Sequence, residues 1–478
     1  MRTNLRDLAA RLTTMRRFAA VACAATVLIF AGFGCKGVNK EVAQRSQPIT
    51  LKYWRVFDGD DAFGAILQAY QKIHPNIGVE YRRLNYDEYE KAILDGLAQD
   101  QGPDIISLQN TWLRRWQPRL LPVPPVLTIP YREIQGTIKK EYVTVMRQEP
   151  GMTLKQLAND YVDIVSEDVV IPTEQDDPRA PLVPKIYGLP LFVDTMVLYF
   201  NRDILNRAGI PQPATDWKTF QDQVKKITKL DETGAIIQSG AALGTVDNVQ
   251  RATDIMTLLM MQNGTPMTDQ NGTVTFDKYP PELAGRPYPP GAEALIFYTD
   301  FANPVKEVYT WNDKMPDSLE AFVKGQTAFF FGYSYHLPQI RLANPKLNFG
   351  IAPFPQIEGN KPVNYANYWV ETVSKKTKYP NEAWDFVQFM TKADHAKDYL
   401  AATRKPTALR SLINGQLEDL DLSVFASEVP TAKSWYHGGD ADATEKAVAE
   451  MIRQMLAGEA DPKKIVELGA TKVNQTIK

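Results

Sequence analysis

The sequence predicts an α/β protein of two lobes, the first of them built on a mostly parallel, doubly wound sheet. Three observations carry this. The chain has 478 residues, too many for one ordinary hydrophobic core. Between Ile49 and Leu108, runs rich in β-branched and aromatic residues alternate with segments of helical apolar spacing, the order that winds a parallel sheet. Near Tyr187 a polar, proline-containing segment gives way to dense apolar runs, which marks entry into a second lobe.

Ahead of these elements lies a segment of another kind. Arg2, Arg6, Arg11, Arg16 and Arg17 form a basic stretch, followed by an apolar run from Phe18 to Phe33 and then Gly34 and Cys35. Charge, apolar run and small residue in that order make an export signal, and the run is short for a stable membrane helix. The segment resembles a bacterial lipoprotein leader. That resemblance implies a signal peptide over 1–34, lipid on Cys35 and a polar tether over 35–47; the other reading is an uncleaved anchor. Both cysteines of the chain, Cys23 and Cys35, lie here, so the exported part has no thiol for a disulfide, a metal or nucleophilic catalysis. A net charge of -2 offers no electrostatic footprint for nucleic acid.

The elements follow in order. ITLKYWRVF reads as a strand closed by the turn DGDD, and Phe63, Ile66, Leu67, Tyr70 and Ile73 mark a helix that stops before Pro75. GVEYRRL is a second strand, Tyr86, Tyr89, Ile93 and Leu97 line a second helix, and GPDIISL is a third strand. His74, just before Pro75, reads as a surface residue. A proline-rich stretch and a helical region over 152–165 precede the second lobe. There Met196 to Phe200 is a strand, Asn201 a helix N-cap, Gly209 the helix end, and Thr215 or Asp216 the cap of a helix opening at Trp217. A helix over 249–261 and a turn at Asn271-Gly272 come next. Residues 321–335 and 349–369 each read as a strand ending in a loop crowded with aromatic and amide groups. The helix over 381–390 places Trp384 in the core, and an amphipathic helix spans 443–456.

Six of these landmarks together resemble the family 1 extracellular solute-binding proteins of ABC importers, the group related to maltose-binding protein. They are the first strand with its DGDD turn; GPDIISLQNTW; YGLPL with VLYFNRDILNRAGIPQP and TDWKTF; FVKGQTAFFFGY; GIAPFP; and NEAWDFVQFM. The resemblance implies a two-lobed periplasmic-binding-protein-like fold, type II, with a ligand cleft between the lobes that closes by hinge motion. It implies one lobe from 48–186 plus 312–364 and the other from 187–311 plus 365–478. It further implies a non-catalytic monomer without cofactor or metal, partnered by a small-molecule solute and ABC permease subunits and held to the outer face of the cell membrane.

Sugars present apolar C–H faces and hydroxyl rims, so a site for them needs aromatic plates beside polar groups. Aromatic and polar residues that follow successive strands are the candidates: Phe57 and Asp58; Asn110 and Trp112; Phe192 and Asp194; Tyr333 and Tyr335; Tyr368 and Trp369; Trp435 and Tyr436. Trp112, Asp194, Tyr335, Trp369 and Trp435 are the foremost. The competing functional classes are an exported glycoside hydrolase, which needs two carboxylates at a set separation in space, and an envelope adhesin or scaffold. No HExxH, GxSxG or P-loop pattern is present, and the four histidines lack metal-ligand spacing.

Overall fold

The structure, a computed structural model, describes Val42 and residues 45–477 apart from 138, 176 and 178. The leader, Cys35 and most of the tether lie outside the described residues. Among the described residues no helix is long and apolar enough to cross a membrane.

The first lobe opens with β1 (Ile49–Val56), α1 (Gly64–Ile73), β2 (Ile77–Leu84), α2 (Tyr86–Ala98) and β3 (Ile105–Gln109). The helices bury Ile66 and Tyr70, and Tyr89, Ile93 and Leu97, the positions that recur at helical spacing. Then come β4 (Leu120–Leu121), a long hairpin of β5 (Val126–Gln135) and β6 (Glu141–Pro150), and helices α3 (Leu154–Asp160) and α4 (Asp163–Val169). The single helix expected over 152–165 is split in two because Tyr161 and Val162 adopt extended backbone between them. A second hairpin, β7 (Val170–Thr173) with β8 (Val183–Ile186), and the short β9 (Leu189–Pro190) complete this segment.

The chain crosses at β10 (Asp194–Thr195) and enters β11 (Val197–Asn201), α5 (Arg202–Arg207) and α6 (Trp217–Ile227). Local chemistry sets these ends as the sequence indicates. Asn201 accepts from the amides of Asp203 and Ile204, Asp216 accepts from that of Thr219, and Gly209 takes the left-handed backbone that ends α5, at φ +62°. The second lobe continues through β12 (Lys229–Leu230), β13 (Ile236–Ala241), α7 (Ala252–Gln262), α8 (Pro290–Asp300), β14 (Thr327–Gly332) and β15 (Phe349–Ala352). A return crossing, β16 (Asn364–Asn367), leads to β17 (Trp369–Ser374), α9 (Pro380–Thr391) and α10 (Ala393–Thr403). The third crossing, β18 (Ala432–Lys433), leads to α11 (Ala441–Ala457) and α12 (Pro462–Asn474).

One sheet lies in each lobe, and a third joins them. The first runs β2-β1-β3-β17-β4, with β9 also on β17; the second runs β12-β13-β14-β11-β15; the crossing strands make β10-β16-β18. β1, β2 and β3 are parallel, as expected, whereas β17 runs antiparallel to β3 with Val373 opposite Ile105. This corrects the expected division of the chain. Residues 312–364 lie in the second lobe, where β14 and β15 flank β11, and β17, α9 and α10 lie in the first. The first core runs from Leu51 to Val193 and resumes from Ala366 to Ala432; the second runs from Met196 to Phe354 and resumes from Trp435 to Val473. The strands involved are short apolar runs, and nothing local in such a run says which sheet will take it.

His74 is a second correction. It is fully buried rather than exposed, because the β5–β6 hairpin folds over the end of α1. Its Nδ1 lies 2.8 Å from the Pro130 carbonyl and its Nε2 3.2 Å from an Asp385 carboxylate oxygen.

Candidate functional site

A cavity opens between the lobes at the carboxyl end of β3. Tyr86, Gln109, Asn110 and Thr111 line it from the first lobe, and Tyr365, Ala366 and Asn367 from the crossing strand β16. The second lobe contributes the N-terminal halves of α7 and α11, with Trp435 and Tyr436 between β18 and α11. The cavity encloses about 60 Å³, far below the roughly 300–1,000 Å³ of ligand sites. That is room for a few waters rather than for a sugar.

On the first-lobe side the organising group is a buried carboxylate, Asp168 on α4. It accepts from the Asn110 amide at 3.0 Å and the Tyr368 hydroxyl at 2.6 Å, and His437 Nε2 lies 2.8 Å away. The Ser434 hydroxyl donates to it as well. Burial alone would raise this carboxyl; the bonds from His437, Ser434 and Tyr368 hold it below the usual carboxylate range. One anion thereby ties the loop after β3, the turn into β17 and the arm that follows β18.

On the second-lobe side Arg251 caps the space before α7 with left-handed backbone, φ +55°. Its Nε and Nη2 each donate to Asp254 at 2.8 Å, and Nη1 lies 3.4 Å from Glu445. The Tyr333 hydroxyl donates to the same Asp254 at 2.6 Å. Trp435 is buried, and among the described residues its indole N–H has no acceptor. Such an orphan donor beside a cavity is a natural partner for a ligand oxygen.

The sequence-predicted residues separate into three groups. Asn110, Trp435 and Tyr436 line the cavity. Trp112 and Trp369 do not line it; they pack on each other at 5.7 Å and on Tyr86, which does line it, at 6.1 and 6.3 Å, and Phe57 stacks on Tyr86 at 5.9 Å. Tyr333 and Tyr368 are buried and position Asp254 and Asp168, while Tyr335 stacks on Tyr333 at 5.7 Å and stays partly exposed.

Phe192, Asp58 and Asp194 form the third group, spent on structure near the crossing. Asp58 is ion-paired with Arg55 at 2.9 Å and Lys405 at 2.6 Å, and the Lys405 ammonium sits 4.4 Å from the Phe192 ring. Burial would raise the Asp58 carboxyl, but Arg55 and Lys405 hold it low. Asp194 accepts from the Ser334 amide at 3.1 Å, the Ser334 hydroxyl at 2.7 Å and the Thr195 amide at 3.0 Å. Burial outweighs these bonds and pushes it up to about 7.

Sequence reasoning missed Arg251, Asp254, Asp442 and Glu445. A signal existed in GGDADATEK: Asp440 alone caps α11, by accepting from Ala443, which leaves Asp442 and Glu445 beyond what the helix start needs.

Residues 65–417 match the model of a protein family described as bacterial extracellular solute-binding protein. The chain belongs to this family. Solute-binding proteins of this kind are non-catalytic components of ABC transport. Among relatives, this solute-binding protein is 26% identical over 258 residues to the maltodextrin-binding protein MdxE of Bacillus subtilis, across 50% of this chain and 55% of the relative. Over 309 residues it is 21% identical to a putative binding protein of Brucella abortus, across 62% of this chain and 68% of the other. Among solved structures it superposes on the cyclic α-maltosyl-1,6-maltose binding protein of Arthrobacter globiformis with a TM-score of 0.68 at 19% identity, covering 90% of this chain and 99% of that one. The maltose complex of MalE from Listeria monocytogenes gives 0.66 at 17%, covering 89% and 97%. The solute-binding protein thus has the mixed α/β, two-lobed type II fold of periplasmic binding proteins.

Proposed function

We propose that this protein captures a carbohydrate between its lobes and delivers it to an ABC permease, held at the outer face of the cell membrane by lipid on Cys35. The observation that carries the solute class is the lining of the interlobe cavity: Tyr86, Tyr365 and Trp435 supply flat apolar faces beside the amides of Gln109, Asn110 and Asn367. The names of relatives that bind maltodextrin or maltose support the same class.

A thermal-shift screen of the full chain against oligosaccharides, peptides and polyamines tests it. A ligand at 100 times its Kd adds about 2.7 kcal/mol, a visible shift even in a large chain. The expected result is stabilisation by one class of oligosaccharide and recovery of that sugar intact. Hydrolysis of the hit on long incubation would replace the receptor reading with that of a glycoside hydrolase, and stabilisation by peptides alone would remove the carbohydrate.

A further inference from the structure

The cleft is charged as well as aromatic. Among the described residues that line it, one cation, Arg251, faces three carboxylates, Asp254, Asp442 and Glu445. Arg251 is engaged twice by Asp254 and approached by Glu445. Its charge is therefore already answered, and an anionic solute would meet carboxylates in excess. Asp442 has no hydrogen bond or ion pair among the described residues. Glu445 accepts from the Thr253 hydroxyl at 3.2 Å and keeps about half its side chain, 48%, in contact with solvent. Asp442 sits in the first turn of α11, where the helix dipole favours it as an anion, and Glu445 stands about one turn further on, while Asp440 already meets the capping need.

Opposite them stands Tyr86, 43% exposed and backed by Phe57. Tyr86, Asp442 and Glu445 line the same cavity, and the Tyr86 phenol is raised first by partial burial and then by the negative charge of Asp442, with Arg251 acting against it. An aromatic face opposite carboxylates is an arrangement that holds a cation. Trp435 lines the same cavity, and its buried indole N–H, without a partner among the described residues, would take an acceptor oxygen brought within reach. An ammonium has no lone pair to accept it. A neutral sugar would satisfy Trp435 and leave the carboxylates unanswered, and a plain polyamine would do the reverse.

We propose that the solute is an aminated carbohydrate, its protonated amine seated between Tyr86 and the carboxylates of Asp442 and Glu445 and a hydroxyl or ring oxygen accepting from Trp435. This deepens the carbohydrate reading and rests on it.

The test is calorimetric titration of the full chain with glucosamine and its β-1,4-linked di- and trisaccharides, beside the matching N-acetylated and glucose series and glucuronate. The free amines are expected to bind at least about tenfold tighter than their neutral counterparts, equivalent to 1.4 kcal/mol. In the Asp442→Asn/Glu445→Gln double variant that ratio should fall to about twofold. Asp442→Asn alone, which breaks no contact, should lower it part of the way and guards against a folding defect in the double variant. If neutral sugars bind as tightly as the amines, or the variants keep the preference, charge selection is wrong while the carbohydrate reading stands. If no sugar of either charge binds, both fall.

Discussion

Asp194 stands at the first crossing with three donors around its carboxylate and no solvent, and that conflict has a measurable consequence. In the unfolded chain the group titrates in the ordinary carboxyl range near 3.8; in the folded protein burial moves it up to about 7. Between those values the native state keeps a proton that the unfolded state has lost. The group's contribution is therefore fully present below about pH 4 and is lost as pH rises toward 7, with a slope of at most about 1.4 kcal/mol per pH unit. Asp194→Asn should flatten that part of the profile. Denaturant midpoints from pH 4 to 8 for both proteins check it, and identical profiles would show that the carboxylate is ionised throughout. At this scale the residues that the sequence singles out divide in the structure between the cavity wall and the packing around it. Asn110, Trp435 and Tyr436 reach the cavity, whereas Trp112 and Trp369 form the packing behind Tyr86, because a loop aromatic next to a strand end can turn either way. Arg251 and Asp254 were invisible as a pair because their meaning depends on Tyr333, far along the chain.

Helices and their ends were the most legible level, since caps and apolar spacing are local. Asp216 caps α6 by accepting from Thr219 at 2.8 Å, and Trp217, Phe220, Val224 and Ile227 bury the face that the spacing predicts. Asp216→Ala should lower stability by about 1 kcal/mol in urea denaturation. No change would mean that solvent replaces the cap in full. What spacing could not reveal was partnership. β14 reads as a strand from AFFFG alone, but its place beside β11, with Phe331 opposite Leu198, is fixed by burial on both faces. α12 was missed although its signal is local: Asp461 caps it and Pro462 opens it, a start that the sequence carries in full.

Two lobes joined by three crossing segments form a molecule in which the interlobe cavity and the crossing strands are neighbours: Tyr365 and Asn367 line the cavity from the same strand, β16, that pairs with β10 and β18. The proposed lipid on Cys35 is tested on the full-length chain. Cys35→Ala should release the full-length protein from the membrane fraction into the soluble exported fraction and abolish labelling by palmitate. Retention of the variant in the membrane would favour an uncleaved anchor. The interleaving of the lobes also sets the order in which they can be made. β3 waits for β17, and the buried bond from Ser107 to Glu371 spans 264 residues of chain. While a ribosome is still delivering that interval, the first sheet has an open edge beside β3, and the second lobe still lacks α11 and α12. Neither core is complete until the last part of the chain has been made, since the first takes in Ala432 and the second Val473.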